Sequence, residues 1–162
     1  MENTVDESSA NRLDELDYRI LNALQQDSSQ TNQELAARVH ASPATCLRRV
    51  RRLQDEGIIV RQVALLDPAR LGRNLIAIVE ISLDIQTSEA MADFEALVLH
   101  EPAVQQCYRV APGPDFILQL LLSDMPAYHA LAHRLFSQQQ NIRNVRTFFC
   151  THRTKFEPGL TL

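Results

Sequence analysis

Tryptophan is absent from the 162 residues, glycine occurs four times and cysteine three times. Each shortage excludes something. Four glycines leave no phosphate-cradling loop: neither G-x-x-x-x-G-K-[ST] nor G-x-G-x-x-G is present, and G-x-S-x-G is absent as well. Cys46, Cys107 and Cys150 are odd in number, far apart and without a C-x-x-C pair, which argues against a disulfide framework or structural zinc and fits a reducing compartment. No apolar run reaches the roughly 20 residues of a membrane span. The polar, acidic start (Glu2, Asp6, Glu7) has no apolar stretch of the signal-peptide kind, and residues 1–12 read as a disordered tail. His129 and His133 lie four apart, a spacing that suits zinc on a helix, but no adjacent glutamate or third ligand accompanies them. They read as packed or surface histidines, and no metal or cofactor is expected.

The net charge of −4 does not advertise nucleic-acid binding, but its distribution does. Between Ser42 and Gln54 stand Arg48, Arg49, Arg51 and Arg52 and no acid, while acids gather in residues 1–27. Local charge, not the total, governs an encounter with phosphate.

The periodicity predicts a helix over 14–26, capped by Asp14, with Leu16, Ile20, Leu21 and Leu24 at helical spacing. Thr31 with Glu34 forms a capping box that opens a short second helix. After a tight turn at His40-Ala41, Ser42 is a good N-cap and Pro43 suits the first helical position. The third helix runs to Glu56 and stops at Gly57. Three helices joined by short turns, the last one basic, form a helix-turn-helix unit over 13–57. A β-branched strand at 58–66 and a linker complete residues 58–74. Strands at 75–83, 103–110, 116–122 and 145–152 and helices at 88–99 and 124–138 follow in the order βαββαβ, which is ferredoxin-like. The chain is thus expected to be α+β: a winged helix-turn-helix domain followed by a second domain over 75–162.

At about 100° per residue, Pro43, Leu47, Val50 and Leu53 fall on one side of the third helix, and this side is expected to pack. Thr45, Arg48, Arg49 and Arg52 fall opposite, and Arg51 lies near the edge of the apolar stripe. Arginine forks can grip guanine O6 and N7, threonine can meet a thymine methyl or a phosphate, and the N-terminus at Ser42-Pro43-Ala44 can dock a phosphate. Thr45 and Arg48 are expected at base edges, and Arg49, Arg51 and Arg52 at phosphate or straddling both roles. The competing reading is a solvated basic helix face. The cap, turn and glycine stop in register weigh against it.

The stretches Leu16-Asp17-Tyr18-Arg19-Ile20-Leu21, Thr31-Asn32-Gln33-Glu34-Leu35 and Ser42 to Leu53 resemble the Lrp/AsnC family of transcriptional regulators. So do Gln106-Cys107-Tyr108, Asp115-Phe116 and the closing strand with Val145, Thr147 and Lys155. The resemblance runs from about Leu13 to Leu160. It implies a DNA-binding site that includes Thr31, Asn32, Ser42, Thr45, Arg48, Arg49, Arg51 and Arg52. It also implies a C-terminal ligand-regulated (RAM) domain whose sheets pair across a two-fold axis, with dimers assembling further, often as octamers of four dimers. The implied partner is double-stranded DNA, the implied effector an amino acid or related metabolite, and the implied location the cytoplasm, at the nucleoid. Effector candidates carried over are Gly113, Asp115, Met125, Phe148, Phe149 and Cys150. Where the family commonly carries Thr-Gly-x-x-Asp, this chain has Ala111-Pro112-Gly113-Pro114-Asp115. The hydroxyl is lost, and two prolines remove backbone donors. Asp115 reads equally as a ligand for an ammonium group or as a turn residue bonded to its own backbone. Independently, the third strand (116–122) is apolar on both faces, and both helices of a βαββαβ unit lie on one side, so the other face calls for a second copy. The alternative from another class is a metabolite-binding or small enzymatic ferredoxin-like module with a vestigial helical domain.

Overall fold

The computed structural model describes residues 13–162, so the tail expected over 1–12 lies outside the described residues. Two compact units emerge. One runs up to Leu65 and includes Phe156–Leu162, and the other is Leu66–Lys155.

In the first unit, α1 (Glu15–Gln26) is opened by Asp14, whose side chain accepts from the Asp17 N–H. The Asp17 carboxylate in turn accepts from the Asp14 N–H. This is the reciprocal capping box, formed by two acids. The short α2 (Asn32–Arg38) carries the expected box between Thr31 and Glu34. It stops in a Schellman motif: the Ala41 N–H reaches Ala36 O at 3.0 Å and the His40 N–H reaches Ala37 O at 3.3 Å. The left-handed position of that motif, usually glycine, is held by His40 at φ 55°. Then α3 (Pro43–Asp55) begins on the Ser42 cap and ends at Gly57, φ 71°. Ile20, Leu21, Leu35, Val39, Cys46 and Leu53 form the core between the three helices.

The strand expected over 58–66 does not form. The Ile59 N–H folds back onto Leu53 O at 2.9 Å, after which Val60, Val63, Leu65 and Leu66 are exposed. β-branched residues favour extended backbone, but a strand needs a ladder partner, and none is present among the described residues of this single chain. The closing segment lies against α1: the Gln25 side-chain amide donates to Leu160 O at 3.1 Å and accepts from the Leu160 N–H at 2.5 Å.

The second unit is one antiparallel sheet in the order β2-β3-β1-β4. Its strands are β1 (Leu75–Leu83), β2 (Val104–Arg109), β3 (Phe116–Leu122) and β4 (Ile142–Phe149), with α4 (Ser88–Leu99) and α5 (Met125–Ala132) in the crossovers. Alternate residues of β1 (Ala77, Val79, Ile81, Leu83) and β3 (Phe116, Leu118, Leu120, Leu122) are fully buried beneath the helices. Phe94 of α4 meets Phe116 at 4.6 Å between ring centroids. The helix expected over 124–138 is α5 continued by one π-helical turn, His133–Ser137, which brings Leu135 and Phe136 into the core. β4 starts and stops three residues before the range 145–152 because its extent follows pairing with β1: Leu83 faces Ile142 and Ala77 faces Phe149.

Among the described residues of this unit, no helix packs on the opposite sheet face. There Ile78 stands in register with Gln119 and Phe148, Glu80 with Ile117 and Arg146, and Ile76 with Leu121. Tyr108 and Phe148, on the outer strands, are 53% and 47% exposed.

Candidate nucleic-acid interface and effector region

The rotation of α3 about its own axis differs from the helical-wheel expectation. Its inward stripe is Cys46, Arg49, Val50 and Leu53, at spacing i, i+3, i+4, i+7. Leu47, expected inside, is 42% exposed. Arg49 and Arg52, expected outside, turn toward α1. Arg49 Nη1 lies 2.7 Å from Asp14 Oδ2 and 3.1 Å from Asp17 Oδ2, and Arg52 Nη2 lies 2.6 Å from Asp17 Oδ2. The cause is Asp17, wholly buried in the first unit's core. A buried carboxylate without a counter-charge is very costly, so it draws in two guanidinium groups and sets the helix rotation with them. The Asp17 backbone N–H, and then Arg49, hold the Asp14 carboxyl below its ordinary pKa. Desolvation works against the Arg49 charge, but Asp14 and Asp17 outweigh it and push its pKa up. Burial pushes the Cys46 thiol up, which makes it a small apolar core residue rather than a reactive one.

What remains outward on α3 is Ala44, Leu47, Arg48 and Arg51, bordering a shallow open cleft whose far end is closed by Asp55 and Glu56. Thr45 is half-buried. Its N–H is bound to Ser42 Oγ at 3.1 Å, and the two hydroxyls meet at 2.9 Å, so both residues serve the cap. Asn32 Nδ2 donates to Pro43 O at 2.8 Å and so ties the start of α2 to the start of α3. Thr31 is committed to the α2 box: its N–H and hydroxyl both reach Glu34 Oε2, at 2.7 and 2.8 Å. Those two bonds, the backbone one first, hold the Glu34 carboxyl below its ordinary value. That contribution is therefore complete above the ordinary glutamate pKa and is lost as the pH falls through the folded value. Replacing Thr31 with alanine is expected to lower the stability of the helical unit by about 1 kcal/mol, read by urea unfolding.

The six effector candidates divide between opposite ends of the sheet. Gly113 and Asp115 precede β3, beside Ile81 and Leu83. Met125, Phe149 and Cys150 lie at the other end, where the Cys150 N–H bonds Ile76 O at 2.9 Å. Phe149 is on the helix side, 4.9 Å from the Tyr128 ring, whose hydroxyl meets Thr147 Oγ1 at 2.6 Å. Phe148 is on the open side beneath the Arg146 guanidinium, which also pairs with Glu80 at 2.9 Å. At φ 130° Gly113 occupies backbone space closed to other residues, in a loop shut by Val110 N–H to Asp115 O at 3.0 Å. Asp115 is 8% exposed. Its Oδ2 accepts from the Leu83 N–H at 2.6 Å and from Gln86 Nε2 at 3.2 Å. The carboxylate thus ties the entry of β3 to β1 rather than bonding the backbone of its own turn.

Among the described residues, no His, Cys, Asp or Glu group is arranged to hold a metal ion, and no helix is long and apolar enough to cross a membrane.

Comparison with known proteins places both units. The winged helix-turn-helix DNA-binding profile matches residues 13–60, and the Lrp/AsnC ligand binding domain profile matches residues 76–160. An HTH-type transcriptional regulator of Haemophilus influenzae is 38% identical over 93% of this chain and 89% of its own length. The leucine-responsive regulatory protein of Escherichia coli K12 is 35% identical over 88% of this chain and 87% of its own. Among solved structures, a Neisseria meningitidis transcriptional regulator in complex with L-Met superposes with a TM-score of 0.87 at 31% identity, covering 93% of this chain and 97% of that one. An AsnC family regulator from Agrobacterium tumefaciens gives 0.87 at 32% identity, covering 92% and 97%.

Proposed function

Since the chain belongs to the Lrp/AsnC family of DNA-binding transcriptional regulators, which are not enzymes, we propose that it reads an operator through the outward face of α3 and works as an oligomer tuned by an amino acid. The observation that carries this reading is the sorting of the α3 arginines. Arg48 and Arg51 point to solvent beside Leu47, while Arg49 and Arg52 are held to Asp17. Arg48 and Arg51 supply guanidinium forks for guanine or phosphate, and Leu47 and Ala44 supply apolar contact for a thymine methyl. Ser42, Thr45, Asn32 and Thr31 act through geometry. They fix the two helix N-termini, whose backbone N–H groups suit a backbone phosphate.

One such helix buries too little surface for specific affinity, so two copies are needed to read two half-sites about one turn of DNA apart. The open sheet face with Ile78, Ile117, Tyr108 and Phe148 supports pairing of two copies there, and the family resemblance extends such pairs to octamers of four dimers. The separation of Gly113 and Asp115 from Met125, Phe149 and Cys150 supports an effector pocket completed between copies rather than within one. The L-Met complex of the Neisseria regulator supports an amino acid as its occupant. The working location is the cytoplasm, at the nucleoid.

Replacing Arg48 with alanine tests the reading. Operator affinity is expected to fall by about 1–3 kcal/mol and the preference at one base pair to relax, with selection from random duplexes as the readout. Undiminished affinity and an unchanged selected sequence would remove Arg48 from the reading face.

A further inference from the structure

The arrangement around Asp17 bears on selectivity. Nonspecific affinity for duplex DNA follows the number of phosphates a protein neutralises, whatever the sequence. A four-arginine helix risks binding everywhere. Here two of the four are withdrawn. Asp17 has no exposed surface, and its two oxygens receive Arg49 Nη1 at 3.1 and 3.2 Å, Arg52 Nη2 at 2.6 Å and the Asp14 N–H at 3.0 Å. Asp14 takes a further Arg49 contact at 2.7 Å. Arg52 remains one-third exposed and borders the same cleft as Arg48 and Arg51, so released it would reach the DNA side.

We propose that Asp17, assisted by Asp14, is a positioning residue for DNA recognition: it withholds Arg49 and Arg52 from backbone phosphate, keeping nonspecific binding low relative to operator binding. The proposal rests on the DNA-binding reading of α3. It predicts an effect opposite in sign to that of a merely structural carboxylate, whose loss would weaken or leave unchanged every kind of binding.

The test uses the full chain and measures affinity for a random-sequence duplex and for a selected operator across a salt series. Asp17→Asn leaves Arg52 with only a 3.8 Å approach to Glu56 and Arg49 with Asp14 alone, Asp14→Asn together with Asp17→Asn keeps an N-capping side chain and frees both arginines, and Glu15→Gln removes an exposed neighbouring charge as the control. The slope of log affinity against log salt on the random duplex is expected to steepen by roughly 0.9 per released arginine. The steepening should be about one for Asp17→Asn, which frees Arg52, and up to about two when Asp14→Asn is added. The ratio of operator to random binding is expected to fall severalfold in both. Adding Arg52→Gln to Asp17→Asn should return the slope to that of the parent. Slopes that match the parent or the Glu15→Gln control in folded variants overturn the proposal. If Asp17→Asn does not fold, Arg52→Gln in the parent decides alone: an unchanged slope on the random duplex is expected of a withheld arginine, and a shallower one overturns the proposal. A parent chain with no salt-dependent retention on any duplex defeats the DNA-binding reading itself, a different outcome from equal slopes.

Discussion

A chain carrying Ile78→Asp is expected to sediment as a folded monomer at concentrations where the parent is a dimer or larger. Ile78 lies at the middle of β1 on the helix-free side, in register with Gln119 and Phe148 and alternating with Ile76 and Glu80. In a single copy the position is only half-buried, so a carboxylate there keeps water and the fold survives. Against a second sheet the same carboxylate would lose its water with no cation placed to meet it, since the nearby Arg146 is already paired with Glu80. A penalty of about 3–5 kcal/mol per copy follows. The two copies together lose about 6–10 kcal/mol, which at 1.4 kcal/mol per decade weakens the dimer by roughly four to seven orders of magnitude. Operator binding should fall with it and become steeply concentration-dependent, because paired half-sites are no longer read together. Analytical ultracentrifugation with a gel-shift titration checks both, and an unchanged dimer would move the two-fold interface off this face.

For Asp115→Ala a loss of about 3–4 kcal/mol in the stability of the second unit is expected. Two hydrogen bonds to an ionised acceptor are removed, each contributing about 1.5–3 kcal/mol, and the buried Leu83 N–H is left without its acceptor. The same substitution separates the two readings of this residue. As the tie between the β3 entry and the end of β1, Asp115 affects melting temperature directly and leaves any stabilisation by added L-methionine in place. As a ligand for an ammonium group, its loss would abolish that stabilisation. Calorimetry with and without the amino acid distinguishes them, and Asp115→Asn, which can retain the Leu83 bond, provides a folded comparison.

The capping signals explain why so much of the helical unit was legible from sequence. Thr31 with Glu34, Ser42 with Pro43, and Gly57 act within one turn of themselves and do not depend on the rest of the chain. The alternation in 75–83 and 116–122 was equally plain, because one face of each strand is buried to completion. The errors came from nonlocal causes. The segment 58–66 has the residues of a strand but no ladder partner among the described residues, and β4 is bounded by β1 rather than by its own composition. The α3 wheel placed Leu47 inside because it weighed hydrophobicity alone. The missing signal lay on α1: Leu13, Leu16, Asp17, Ile20, Leu21 and Leu24 share one stripe, and Asp17 stands in its middle. An acid in an apolar stripe requires a buried cation, and only another helix could provide one. That requirement turns Arg49 inward and Leu47 outward. The effector candidates were carried by resemblance, and no local pattern revealed that they sit at two ends of a sheet.

His40 has a consequence for how this protein can change. A side chain with a Cβ in the left-handed region costs roughly 1–2 kcal/mol relative to glycine, and histidine is among the few residues that tolerate it. Valine or isoleucine at this exposed position would meet a much steeper barrier, so drift at the joint between α2 and α3 is confined to glycine and a few small polar or ring-bearing neighbours. Within that narrow set lies unused stability. Glycine at position 40 would relax the joint while leaving Arg48, Arg51 and the sheet untouched, so the regulator holds a reserve against damaging substitutions elsewhere that it can draw on without altering what it reads.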